Sequence, residues 1–127
     1  MIHEEICTYE VCKLAKENGF NARTIHYYEA NCVNPKAIEH CTGANYFNKY
    51  PNAVSAPTQS LLQRWLRDNG FGEVEVRHWC ETNRYPHHYG WEVKDNLGNL
   101  MGYSSKMFDT YELALEDGLK YALENLV

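Results

Sequence analysis

A chain of 127 residues with 44% hydrophobic and 13% aromatic content is long enough for one packed core, since chains of this size bury about two-thirds of the surface they expose unfolded. The formal charge of -5, from 17 acidic and 12 basic residues, is spread without a long run of either sign. It therefore offers no attraction to a phosphate backbone or an anionic membrane.

Neither a basic, apolar leader nor a run of ~20 apolar residues occurs, so the expectation is a cytoplasmic protein outside the membrane. Cys7, Cys12, Cys32, Cys41 and Cys80 are odd in number and lack framework spacing, which fits reduced thiols better than a secreted disulfide scaffold.

The first helix opens at Thr8, carries Val11, Leu14 and Ala15 on one face, and stops at Asn18, Gly19 and Phe20. Gly19 suits the left-handed position after a helix end, with Phe20 folding back as its apolar partner. With Thr8 as cap, Cys7 and Cys12 take the two positions of a hydrophobic staple. Residues 23–28 follow as a strand rich in β-branched and aromatic types. The stretch 30–54 has little periodicity, and Tyr46 to Tyr50 is expected to add a short strand there.

A second helix starts after Ala56 with Pro57 near its first position and Leu61, Leu62, Trp65 and Leu66 as its apolar stripe, leaving Gln59, Gln63, Arg64 and Arg67 wet. It ends on Asn69, Gly70 and Phe71, repeating the earlier phrase 51 residues on, which suggests two helix–turn–strand units or two ordinary helix ends. Val74, Val76, His78 and Cys80 alternate with polar neighbours in one strand, and Tyr89, Trp91 and Val93 do so in the next. Turn residues 95–99 lead to a third strand over 100–108, completing an antiparallel meander. The last helix is expected to open on a capping box of Asp109 and Glu112 and to bury Tyr111, Leu115, Leu119, Ala122, Leu123 and Leu126. Gly118 on that face marks a close approach.

The fold class these elements predict is α+β: a small, mainly antiparallel sheet with helices packed on one face. It is one domain over 1–127, with 1–54 a helix, strand and long segment and 55–127 in α-β-β-β-α order. Val74, Val76, Trp91 and Val93 should lie beneath Leu61, Trp65, Leu115, Leu119 and Leu123.

On the segment SAPTQSLLQRWLR at 55–67, with KLAKENGF at 13–20 and YELALEDGL at 111–119, the chain resembles a group of small uncharacterised proteins encoded in gut Bacteroidetes genomes and their phages. The resemblance implies a phage or mobile-element context and carries no activity. Residues 57–127 also resemble, in element order only, the double-stranded RNA-binding domain. That domain grips phosphates with lysines at the start of its last helix, whereas Asp109, Glu112, Glu116 and Asp117 stand here, so no nucleic-acid partner is expected.

His78, Cys80, His87 and His88 have the donor types of a zinc site but not the spacing of a knuckle or finger, and neither do Cys32, His40 and Cys41 with Cys7 and Cys12. No metal and no cofactor are expected. A nucleophile pair of Cys41 or Cys32 with His26, His40 or His78 is chemically feasible but has no signature context, so the chain reads as not an enzyme. Glu73, Glu75, Glu116 and Asp117 read as solvated faces. Ten tyrosines and three tryptophans are more suggestive, because aromatic side chains give large contact area at low entropy cost.

Tyr27, Tyr28, Tyr46, Phe47 and Tyr50 sit in or near the middle stretch, and Trp79, Tyr85 and Tyr89 flank the 83–88 loop. The candidate binding residues are Arg77, Trp79, Arg84, Tyr85, His87, His88, Tyr46 and Tyr50. The function these support is a non-enzymatic module binding an unknown protein partner through an aromatic and acidic surface. The alternatives are a protein that sequesters a small ligand or nucleotide near Arg77, Trp79, Arg84 and Tyr85, and a Cys/His enzyme.

Overall fold

The computed structural model describes residues 4–79 and 88–127, with Trp79 given by its backbone. In chain order the elements are α1 (Tyr9–Glu17), β1 (His26–Glu29), β2 (Ile38–Glu39), a 3-10 turn (Phe47–Lys49), β3 (Ala53–Ala56), α2 (Gln59–Asp68), β4 (Glu73–Trp79), β5 (His88–Lys94), β6 (Leu100–Tyr103) and α3 (Tyr111–Asn125). The class is α+β, but the strands form two antiparallel three-stranded sheets, β2-β1-β3 and β4-β5-β6, where one was expected. The chain divides into two compact units, Met1–Trp65 and Leu66–Val127, with the division inside α2.

In the first unit α1 begins as its sequence dictates. The Thr8 hydroxyl accepts from the Val11 amide at 3.4 Å, and Cys7 and Cys12 are both fully buried beside it, filling the staple positions. The helix closes with the Gly19 amide donating to the Lys16 carbonyl and the Phe20 amide to the Ala15 carbonyl, with Gly19 at φ 89°. That is a Schellman motif, and it turns Phe20 into the core. At the end of α2, Gly70 and Phe71 repeat it onto Arg67 and Leu66. The strand after α1 is central in its sheet while the strand after α2 is an edge. The shared phrase therefore marks two helix ends of the same chemistry rather than two copies of one sheet.

Five expectations from the middle of the chain through the second helix are corrected. Tyr46 to Tyr50 surrounds a 3-10 turn rather than a strand, because Asn48 supplies the pairing a strand would have made. Its amide donates to the Ser55 hydroxyl, its side-chain oxygen accepts from the Ser55 amide at 2.7 Å, and its side-chain nitrogen donates to the Phe20 carbonyl at 2.9 Å. Residues 53–56, the first two of them assigned to the irregular stretch, are strand β3 on β1. Pro57 precedes the helix, and Thr58 caps it through the Leu61 amide. Gln59 is 4% exposed instead of wet, its amide donating to the Glu5 carbonyl. Trp65, expected over the later hairpin, makes its edge contact with Phe20 at 5.3 Å and donates its indole N–H to Asn21.

The second unit follows its alternation closely. Val74 pairs with Val93 and Val76 with Trp91; Val74, Trp91 and Val93 are buried, with Val76 half-buried. α3 lies against β4 and β5, burying Leu115, Leu119, Ala122 and Leu123, each worth about 1.5–3 kcal/mol for a leucine-sized chain. Gly118 is the crossing point, since a Cβ there would come 2.7 Å from Val74 and 3.0 Å from Trp91.

The third strand stops at Tyr103, short of the expected 108, because the Ser104 hydroxyl takes the Trp91 amide where a continuing strand would offer a carbonyl; Phe108 then bridges back to Tyr89. α3 is capped by Thr110 onto the Leu113 amide at 3.1 Å, one residue later than the expected Asp109. Glu112 thus falls outside the box position, and Tyr111, first in the helix, is 44% exposed rather than buried.

Candidate functional site

The candidate residues separate into two places. Tyr46 and Tyr50 flank the 3-10 turn, each about half exposed. The Lys16 ammonium ties this turn to α1, donating to the Tyr50 carbonyl at 2.8 Å and the Ala53 carbonyl at 2.7 Å. The Arg23 guanidinium stands 5.9 Å from the Tyr46 ring centre and the Lys49 ammonium 5.1 Å from that of Tyr50, within cation–π range. Beside them lies a solvent-open cleft of about 450 Å³ lined by Lys16, Gly19, Phe20, Asn21, Ala22, Tyr46, Asn48 and Lys49. Of these, only Tyr46 is among the candidate binding residues of the sequence. Lys16, Asn48 and Lys49 are ordinary polar residues of a helix and an aperiodic stretch, and only the fold juxtaposes them.

Arg77 and His88 belong to the second sheet. Arg77 lies on the face away from α3, where its Nε and Nη2 donate to Glu92 at 3.2 and 3.1 Å and Nη2 reaches Glu75 at 3.4 Å. Lys94 joins Glu75 at 3.6 Å. His88 pairs in register with Trp79 at the strand end. Arg84, Tyr85 and His87, with Cys80 of the Cys/His cluster, lie outside the described residues, as does the Trp79 side chain.

The same face carries residues the sequence reading missed. Tyr103 sits opposite Glu92, and Leu100 opposite Lys94; they are 70% and 54% exposed. The register shift between Val93 and Lys94 breaks the alternation along β6, so only the cross-strand pairing places Tyr103 on this face. At the other end of the sheet, His78 stacks on Tyr89 at 4.7 Å and Tyr89 meets Tyr111 edge-on at 6.4 Å.

Asp117, read as a solvated carboxylate, is half-buried and accepts the Trp91 indole N–H at 2.8 Å. Cys32 and Cys41 are exposed while Cys7 and Cys12 are buried, so the four do not form one cluster. His40 Nδ1 engages the Thr42 hydroxyl at 2.8 Å. Among the described residues no group of three His, Cys, Asp or Glu can hold a metal ion, and no helix is long and apolar enough to cross a membrane. No protein-family model, curated protein or solved structure matches this chain.

Proposed function

We propose that this chain is a non-enzymatic protein-binding module, in the mobile-element context its sequence resemblance implies, whose partner docks on the face of the second sheet away from α3. The observation that carries this reading is Tyr103, 70% exposed, standing across from Glu92 beside the Arg77, Glu75 and Lys94 ion pairs. A large aromatic with a polar tip, set next to charged groups, has the composition of a binding hot spot with a polar rim. The ion pairs contribute little stability at such exposure, but they fix the charges in place, and fixed charges orient a partner and reject mismatched ones.

A photo-crosslinking amino acid placed at position 103 and expressed in the native cell tests this directly. The expected result is one dominant protein adduct, whose purified partner binds the chain with a loss of about 2 kcal/mol or more in Tyr103→Ala. The reading fails if no specific adduct forms, or if Tyr103→Ala binds the partner within twofold of the parent.

A further inference from the structure

We infer that the cleft at Lys16, Tyr46 and Lys49 is a binding site for a small phosphorylated ligand carrying a planar ring, of the size of a nucleoside monophosphate. The chain is acidic as a whole, yet no Asp or Glu lines this cleft. Lys16 and Lys49 line it, Arg23 stands 5.9 Å from the ring centre of Tyr46 beside it, and among the described residues no carboxylate pairs with any of the three. An ammonium has three donors. Lys16 spends two on the Tyr50 and Ala53 carbonyls, which fixes its position and leaves one for a ligand.

The cleft wall adds donors of its own. Asn21 and Ala22 line the cleft, and neither backbone N–H has a protein acceptor among the described residues, so each is open to water or to a ligand oxygen. The half-exposed Tyr46 ring supplies a flat surface for a base, and stacking of a base on an aromatic side chain tolerates any base. A volume of about 450 Å³ falls within the ~300–1,000 Å³ of small-molecule sites. This site belongs to the first unit and does not depend on the docking face proposed for the second.

Titration calorimetry of the full chain with AMP, GMP, CMP and UMP, and with adenosine and inorganic phosphate as half-ligands, tests the inference. At least one nucleotide is expected to bind with a Kd below about 1 mM, with its two halves at least tenfold weaker. Lys49→Ala and Tyr46→Ala, both at exposed positions, should each weaken that nucleotide at least fivefold while the melting temperature stays within about 2 °C. Tyr103→Ala should leave it unchanged. Failure of all four nucleotides to bind below about 1 mM overturns the site. So does retention of full affinity in both cleft variants. Phosphate binding as tightly as the nucleotides overturns the ring-stacking half and with it the ligand class.

Discussion

The buried polar side chains Thr24, Ser55 and Gln59 all belong to the first unit, whereas the second encloses Val74, Trp91, Val93, Leu115, Leu119 and Leu123. Beside an apolar core that includes Val11, Phe20, Phe47, Val54 and Leu62, the first sheet adds particular hydrogen-bonded partnerships. Asn48 and Ser55 exchange hydrogen bonds, Thr24 donates to the His26 carbonyl, and the Tyr28 hydroxyl donates to the Cys7 carbonyl at 2.7 Å. The second sheet is held by a two-residue alternation meeting one helix stripe. Among the described residues no buried side-chain nitrogen or oxygen lacks a partner, so the polar route is complete. Burial of apolar area is forgiving of detail, while a buried hydrogen bond is costly to leave half-made.

The largest expected effect breaks the second unit. Leu119→Ala, at a fully buried position, should cost about 2–5 kcal/mol through lost transfer energy and the cavity left behind, read from urea unfolding. A loss below about 0.5 kcal/mol would show that α3 does not cover this sheet.

Asn48→Ala sharpens the other half of the contrast. It strands the Ser55 amide and the Phe20 carbonyl together and should cost about 1–3 kcal/mol, although it removes almost no apolar surface. Equal stability in the variant would mean the clasp is incidental and that the first unit, like the second, is held by apolar burial.

A smaller effect is expected at the helix starts, where the two units use the same chemistry. Thr8→Ala and Thr110→Ala each remove a hydroxyl that accepts from the third helical amide, and each should cost about 1 kcal/mol. A large inequality between them in thermal unfolding would place the difference between the units at their helix ends instead of their cores.

The smallest effect concerns the turn joining β5 and β6. The Asp95 carboxyl is held below its ordinary value, first by the Asn99 backbone amide, with the Asn99 side chain and the Leu97 and Gly98 amides acting in the same direction. Because the folded pKa lies below the unfolded one, this contribution is fully present above the unfolded carboxyl range near pH ~4. It is lost as pH falls through the folded value. Asp95→Asn should therefore lower stability slightly at neutral pH, leave it unchanged below the folded value, and so flatten the acid limb of a stability-against-pH curve. A steeper acid limb in the variant would contradict the sign.

The candidate surfaces were partly legible before the fold. Tyr46 and Tyr50 stand out by residue type, and they flank one 3-10 turn. Lys16 did not stand out, because a lysine in a helix reads as solvated until its ammonium is found on two carbonyls of a distant turn. Arg77 stands out as a candidate residue for a small ligand or nucleotide, yet its guanidinium is engaged by Glu92 and Glu75, and those partners are visible only once the cross-strand register is known.

Features written within a few adjacent residues are legible without the fold. These are the two Asn-Gly-Phe helix stops, the cap and staple at Thr8, the inward alternation of Val74, Trp91 and Val93, and the close approach at Gly118. Local propensity and side-chain period act over that range, so they can be read directly. Long-range closure of the chain sets the rest: the described strands form two sheets, Asn48 replaces a strand with a clasp, and Lys16 meets the Tyr50 carbonyl 34 residues away. Such contacts depend on which distant segments close on one another, and loop closure is set by the whole chain's competition for partners, which no local pattern records.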